Sequence, residues 1–281
     1  MPKVTASIVL FNTPTATIGR LLNCLTLSGL CSEIYIVDQS PNPISPLPYY
    51  WKKNLHFILN RNMGFGGGHN LVLNMISETS DFHFILNPDI YFKPSMLVKM
   101  LDRIKRDEKV GLLMPKILYP DGSLQYSCKL LPTPLTLFAR RFKLFIPQSV
   151  RERINNRYEL RNTNYDREIN PPVLSGCFLL VRMKIAKKAG FFDERFFMYL
   201  EDVDLCRRLH KISETIFYPD AEVYHGHAKE SFKNIKMLVY HASSAIKYFN
   251  KWGWIFDKYR SKTNKAFLKN YINKKVDANN S

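Results

Sequence analysis

The sequence predicts an α/β fold with a mostly parallel central sheet flanked by helices and a C-terminal helical extension. Three observations predict it. Short β-prone runs alternate with segments of helical spacing through the first hundred residues, the pattern of parallel strands joined by crossover helices. A polar residue stands at the end of each of four early strands: Asn12, Asp38, Asn62 and Asp89. In an open α/β sheet that edge is where ligands bind. Beyond residue 229, Trp252, Trp254, Phe256, Tyr259, Phe267 and Tyr271 are mixed among lysines in a stretch that reads as helix.

Taken in order, residues 4–11 form the first strand, ending at Asn12. Residues 17–30 place Ile18, Leu21, Leu22 and Leu25 on one helical face. Residues 33–37 make a second strand ending at Asp38, and a proline-rich loop covers 41–48. A third strand, 55–59, leads through Asn60-Arg61-Asn62 into Gly64, Gly66, Gly67 and Gly68, with a helix expected over 69–78. Residues 82–86 form a fourth strand before Asn87-Pro88-Asp89. An amphipathic helix over 94–107 turns Met96, Leu97, Met100, Leu101 and Ile104 inward. Residues 111–119 and 124–128 read as a hairpin around Pro120-Asp121-Gly122-Ser123. Residues 130–167 are irregular, 173–181 are apolar around Ser175-Gly176, and 215–218 are a short strand closed by Pro219-Asp220.

A chain of 281 residues, 46% hydrophobic, has enough apolar surface for one large domain and an appendage. The net charge of +17 calls for an anionic partner: a nucleotide, a nucleic acid or a phospholipid surface. Five cysteines without CxxC spacing read as reduced thiols, neither a disulfide frame nor a zinc site. The start of the sequence enters a strand directly, without signal-peptide architecture, and no apolar run has the length of a membrane span.

Against this basic background, Glu201, Asp202 and Asp204 crowd into four positions after the aromatic-rich stretch 190–198. Carboxylates at the edge of an apolar pocket can act as a general base; equally, acids in a first helical turn stabilise the helix dipole. The glycine-rich turn brings backbone close either to an anionic ligand or to a neighbouring strand, and it matches neither GxxxxGK[ST] nor a dinucleotide fingerprint. Asp89 suits a divalent cation bridging protein and diphosphate, or a plain Asx-Pro turn. His225 and His227 share a side if extended, and His225 could add a nitrogen ligand to that cation.

Several segments together resemble one family: Val9-Leu10-Phe11-Asn12, Val37-Asp38, the Asn62-to-Asn70 glycine turn, Leu86-Asn87-Pro88-Asp89, the stretch 175–182, and the stretch 190–208 ending in Glu201-Asp202-Val203-Asp204. They are similar to the inverting glycosyltransferases of family 2, with a Rossmann-like GT-A fold. The closest subgroup is the rhamnosyltransferases and galactofuranosyltransferases of bacterial surface polysaccharide synthesis, O-antigen included.

The resemblance implies a catalytic domain over 1–228, its nucleotide-binding half about 1–110 and its acceptor half 111–228, with a basic aromatic tail over 229–281. It implies that Phe11, Asn12, Asp38, Asn62, Gly64, Gly66 and Asn87 surround the donor nucleotide. Asp89 and His225 would hold Mn2+ or Mg2+, with Asn87 standing where the family's metal motif has its first acid. Asp202 matches the catalytic base, Glu201 its partner, and Ser175, Gly176 and Arg182 fall on the acceptor side. The implied donor is a dTDP- or UDP-linked sugar, rhamnose favoured, and the acceptor a glycan or a polyprenyl-diphosphate-linked sugar. Arg61 or Arg182 could balance the departing diphosphate. Asp204 is expected to pair with Arg208, four residues on.

The basic, aromatic flanks 130–167 and 229–275 suit an anionic leaflet, which predicts a cytoplasmic protein peripheral to the inner face of a bacterial membrane. They also suit solvated helices that pack their aromatics on the core. Two other functions compete. A nucleic-acid-binding module fits the charge but leaves the acidic cluster idle, and the resemblance implies no nucleic acid partner. A sugar nucleotidyltransferase would carry its glycine motif after the first strand, where Thr13-Pro14 stands.

Overall fold

A computed structural model describes residues 2–44, 53–141, 146–163, 165–226 and 235–279. Its spine is an eight-stranded sheet in the order β3-β2-β1-β4-β9-β6-β10-β5. The first half is the expected set of parallel strands: β1 (Val4–Leu10), β2 (Glu33–Asp38), β3 (Leu55–Leu59) and β4 (Phe82–Leu86). The register aligns Leu10 with Asp38 and Ile8 with Leu86, so the strand ends that carry the polar residues share one edge. β1 and β4 are buried along almost their whole length, and the polar residues among them, Thr5, Ser7 and His83, hydrogen-bond to one another.

Helix α1 (Thr15–Ser28) buries Ile18, Leu21, Leu22 and Leu25, and stops at Gly29, whose φ of 62° closes the C-terminus. Helix α3 (Ser95–Lys105) buries the five apolar residues its periodicity marks. Helix α2 (Gly64–Ile76) begins five residues before the expected start and takes in all four glycines. A helical glycine costs about 1 kcal/mol relative to alanine. Here the cost is offset by proximity: a Cβ at Gly68 would lie 2.2 Å from the Gln39 side chain and 2.8 Å from Val9, so only glycine lets α2 lie this close to β1.

After the short β5 (Ile90–Tyr91), strand β6 (Val110–Leu118) starts the second half of the sheet. Its expected hairpin is a single bridge, Leu118 to Leu124. The chain then leaves through β7 (Cys128–Lys129), which pairs with β8 (Val173–Leu174) in a separate two-stranded sheet. Helices α4 (Pro134–Arg141) and α5 (Gln148–Tyr158) form within the stretch read as irregular. Strand β9 (Phe178–Arg182) runs antiparallel between β4 and β6 and is followed by α6 (Met183–Ala189). Strand β10 (Glu214–His225) is far longer than its predicted four residues, because Pro219-Asp220 lies in a register shift between Tyr218 and Glu222 and does not end the strand.

The last two helices, α8 (Ile235–Trp252) and α9 (Lys258–Asn279), pack against α7 (Glu201–His210). Tyr248 and Phe249 of α8 join Leu137, Phe196, Leu200 and Val203 in a second apolar cluster. Beside it lies a fully buried ion pair: Arg207 donates two bonds to Asp257 (2.6 and 2.7 Å), and both side chains are 2% exposed. Asp257 also accepts the Arg260 N–H at the start of α9, and the Arg207 guanidinium lies 4.2 Å from the Trp252 ring. Among the described residues no helix is long and apolar enough to cross a membrane.

Removing one partner of such a pair strands a buried charge. Asp257→Ala should therefore lower stability by about 3–5 kcal/mol in urea unfolding. An unchanged midpoint would show that α8 and α9 dock without this pair.

Candidate active site

The site lies where three stretches meet at the polar edge of the sheet. Asn87, at the end of β4, donates its backbone N–H to Cys177 O (2.9 Å). One residue back, Gly176 N–H donates to Asp202 Oδ2 (3.0 Å). Through this two-residue loop the Asn-Pro-Asp turn and the first turn of α7 become neighbours. Asn87, Ser175, Gly176, Cys177, Glu201, Asp202 and His225 line one cavity of about 430 Å³, and Asp89 reaches it through His225.

Asp202 is half-buried and held in one rotamer by two backbone donors, Gly176 and Val203 (3.0 and 2.8 Å). A Cβ at Gly176 would meet Asp202 Cβ at 3.0 Å, so glycine sets how near the loop approaches. Glu201 is buried, and its Oε2 has no hydrogen-bond partner among the described residues. Burial, then the adjacent Asp202 charge, pushes its carboxyl up to about 8. The two carboxylates are thus unlike: Glu201 keeps its proton where Asp202 faces the cavity. Asp204 is fully buried and pairs with Arg208 (2.8 Å), as its spacing predicts, and with Lys251 and Trp252 Nε1 (both 2.7 Å).

The chain enters α7 through Tyr199 and Leu200, both left-handed with φ of 69° and 65°. Two such non-glycine residues in a row cost on the order of 1–3 kcal/mol each. The surroundings hold them: Phe196 and Leu200 are buried, Phe65 N–H donates to Phe197 O (3.2 Å), and Ser244 Oγ donates to Met198 O (2.8 Å).

On the other wall, His225 Nε2 lies 3.3 Å from Asp89 Oδ1 and 3.2 Å from the Asn87 amide. Its Nδ1 sits 3.0 Å from Gln125 Oε1, which orients the ring. Burial disfavours a charged imidazole, but the Cys177 sulfur and the Asp89 carboxylate outweigh it and raise His225 to about 10. A divalent cation that takes its other ligands from a diphosphate and water would fit between this carboxylate and imidazole by displacing the imidazole proton. Among the described residues no group of three or more His, Cys, Asp or Glu forms a self-sufficient metal cage. His227 lies outside the described residues.

The remaining expected site residues divide. Phe11 is 46% exposed at the sheet edge, and Asn12 follows it with φ of 51°, its N–H donating to Ser40 Oγ (2.7 Å). Asn62 is exposed and caps the turn into α2, its Oδ1 accepting from Gly64 N–H (3.0 Å). Asp38, Gly64 and Gly66 have protein partners, and the expectation for Arg182 is corrected. Asp38 is 1% exposed, and its two oxygens accept the Ser40 and Ile44 N–H groups (2.9 Å each), which shapes the loop after β2. The contacts that require glycine at 64 and 66 are to protein: a Cβ at Gly64 would lie 1.8 Å from Phe197 O, and one at Gly66 2.8 Å from Phe192 Cβ. Arg182 pairs with Phe82 at the opposite end of β4 from Asn87, and its guanidinium serves the carbonyls of Ile104, Asp107 and Val110.

The structure adds residues to the cavity that the sequence reading did not assign to it: Lys129, Leu137, Arg140, Met198, Tyr199, Met237 and His241. Leu137, Arg140, Met237 and His241 carry only the signal of the basic aromatic flanks, Met198 and Tyr199 fall in the stretch 190–208, and Lys129 lies just outside both.

No family model matches the chain. Its architecture is the GT-A fold of glycosyltransferases. It superposes on a structure of GalNAc-T7 with UDP, GalNAc and Mn2+ at a TM-score of 0.60 with 12% identity, covering 92% of this chain and 49% of that one. It superposes on S. aureus TarS 1–349 in complex with UDP at a TM-score of 0.57 with 16% identity, covering 95% and 70%. Among curated proteins the chain is 30% identical over 199 residues to the N-acetylglucosaminyl-diphospho-decaprenol L-rhamnosyltransferase of Mycobacterium tuberculosis H37Rv. That alignment covers 66% of this chain and 63% of the relative, just under two thirds of its length. Rhamnosyltransferase WbbL of Escherichia coli K12 is 25% identical over 204 residues, covering 69% and 73%. The chain is thus similar in sequence to rhamnosyltransferases and in fold to GT-A glycosyltransferases.

Replacing Glu201 by Gln tests its protonation. A carboxyl raised from 4.5 to about 8 by folding contributes stability that is complete at low pH and is lost as pH rises through that window. Glu201→Gln should flatten the fall in stability between those two values. Parallel wild-type and variant curves would mean that Glu201 is ionised in the folded chain.

Proposed function

We propose that this protein is an inverting glycosyltransferase. It moves a sugar, rhamnose favoured, from a nucleotide-diphosphate sugar to a hydroxyl of a growing, polyprenyl-linked bacterial surface glycan. One observation carries the reading: Asp202 and the Asn87/Asp89/His225 group are drawn to a single cleft by the 176–177 loop. Sequence relatives named as rhamnosyltransferases supply the class of sugar.

In this reading Asp202 accepts the proton of an acceptor hydroxyl as that oxygen attacks the anomeric carbon. The bond from that carbon to the diphosphate oxygen breaks, and one displacement inverts the configuration. Glu201, protonated beside it, leaves a single negative charge at this wall. Asp89 and His225 would hold a divalent cation, Mn2+ or Mg2+, which would supply positive charge beside the departing diphosphate. Phe11, Asn12 and Asn62 offer the nucleotide an aromatic face and amide groups at the sheet edge, with Asn87 at the diphosphate. A solved neighbour with UDP and Mn2+ supports the pairing of nucleotide and metal in this fold.

We further propose that the protein works at an anionic membrane surface on the cytoplasmic side. The turn between α8 and α9 presents Trp254, Ile255 and Phe256, the last two 76% and 93% exposed, beside Lys258. A bilayer interface would cover such a knob.

A thermal-shift panel of nucleoside diphosphates and their sugars, with and without manganese, tests the donor site, and turnover tests the base. Asp202→Asn should lose about a hundred- to ten-thousand-fold in rate while keeping nucleotide stabilisation. Asp89→Ala should lose the manganese-dependent part of that stabilisation. Near-normal turnover by Asp202→Asn would end its assignment as base.

The membrane proposal needs a separate measurement. Ile255→Ser with Phe256→Ser should reduce co-sedimentation with anionic vesicles several-fold. Equal sedimentation would place the contact surface elsewhere.

A further inference from the structure

The mechanism leaves unused the polar side chains between α2 and the sheet, and these form one hydrogen-bonded chain. Ser80 Oγ donates to the carbonyl of Phe82 (2.9 Å), an atom that can only accept. Ser80 has one proton, so the Thr5 hydroxyl donates to Ser80 (2.9 Å). Thr5 has then spent its own proton, and His83 Nδ1 donates to Thr5 (2.7 Å). A neutral imidazole protonated at Nδ1 is bare at Nε2, so His83 Nε2 accepts from the Ser7 hydroxyl (2.7 Å). Ser7 in turn accepts from His69 Nδ1 (2.7 Å). One backbone carbonyl thus fixes the direction of the whole chain. It leaves a single open acceptor, His69 Nε2, which is buried and has no partner among the described residues.

Thr5, Ser7, His69 and His83 are all fully buried, and the charged groups around them are engaged elsewhere. On β2, Glu33 pairs with His56, and Tyr35 stacks on that same ring. In the loop before α7, Glu194 accepts from Asn70, and Asp193 pairs with Arg195 and Lys251. On β9 the residue beside His83 is Val181, and before β4 Asp81 accepts the Lys3 N–H. On α2 itself His69 meets the Phe65 ring edge-on at 4.5 Å, and the Phe192 ring lies 6.1 Å away. Burial without a counter-charge holds His69 down to about 3. Burial, then the neighbouring His69, holds His83 well below the ordinary imidazole range. An added proton ends on His69 Nε2 whichever ring carries the charge. With the charge on His83, Ser7 accepts from His83 and donates to His69 Nδ1, and His69 keeps its proton on Nε2.

Helix α2 depends on this seat. Gly64, Gly66, Gly67 and Gly68 give its first turns weak helix propensity, so its stability comes from packing on the sheet. We propose that the chain from Ser80 to His69 is an acid-sensitive latch: it holds α2 on the sheet while His69 Nε2 is bare, and a proton there releases the helix. Because Nε2 is closed off from solvent, a proton reaches it only as the packing around it opens. Phe65, against His69, lines the cavity of the candidate site and donates its N–H to Phe197 O (3.2 Å), so release loosens one wall of that site. The latch does not depend on which reaction the site performs. Imidazoles kept neutral by folding contribute stability that is complete above the unfolded value of 6.5 and is lost as pH falls below it.

Nitrogen-15 NMR of the histidine-labelled full chain reads the tautomers directly. At neutral pH both His69 and His83 should carry their proton on Nδ1, and a proton on His69 Nε2 overturns the proposal. Amide hydrogen exchange tests the release. Between pH 6.5 and about 5, corrected for the intrinsic rate, exchange over 64–76 should rise about tenfold relative to α3. The rise should disappear in His69→Asn, whose amide can still donate to Ser7 but takes up no proton. Equal acceleration in α2 and α3 would mean that acid loosens the whole chain and that α2 has no latch of its own. An unchanged response in His69→Asn would put the sensitive group elsewhere, and either result ends the proposal. Should His69→Asn fail to fold, the wild-type tautomers and the wild-type comparison of α2 with α3 decide.

Discussion

The site depends on the placement of one antiparallel strand. β9 inserts between β4 and β6 against the direction of both, so its leading residues, 175–177, emerge at the edge where the parallel strands end. From there the Cys177 carbonyl takes the Asn87 N–H, and the Gly176 N–H reaches Asp202. Were β9 parallel, that loop would lie at the opposite edge, and the acidic turn of α7 would have no connection to Asn-Pro-Asp. Gly176 is required for the same reason, since a side chain there would press on Asp202.

A second constraint keeps α7 where β9 can reach it. The helix carries charge on nearly every turn, yet much of it is buried. Asp204 is enclosed by Arg208, Lys251 and Trp252, and Arg207 by Asp257, Trp252 and Tyr259. Buried ion pairs add little net stability, but they penalise any arrangement that separates the partners. They therefore give α8 and α9 a defined seat, and with it set the positions of Met237 and His241 at the cavity. Backbone strain at Tyr199 and Leu200 is tolerable because Phe197 and Met198 are tied to α2 and α8 on either side.

How much of this was legible in the sequence depended on the range of the signal. The first four strands, α1 and α3 announce themselves through local periodicity, and Asp204–Arg208 through helical spacing. Asn87, Asp202 and His225 could be picked out by residue type and resemblance, but nothing local says that they share a cleft. Arg182 was misplaced because a basic residue after an apolar strand looks the same at either end of a sheet; its direction follows only from antiparallel pairing. Asp38 and the glycines are ambiguous for a different reason, since a buried carboxylate bonded to backbone and a helix pressed on a strand use the residue types of a ligand site. Lys129, Arg140, Met237 and His241 were hidden because they lie on short or peripheral elements, far apart along the chain.

The seating of α8 has a bearing on biosynthesis. Every strand of the sheet lies before residue 226, but two residues of the cavity wall belong to α8, and the aspartate that locks α7 comes later still, at 257. A nascent chain emerging from the ribosome can complete its sheet while its cleft still lacks one side. Competence therefore arrives abruptly, with the final helices, and a truncated translation product would carry the donor edge without a finished chamber for the second substrate.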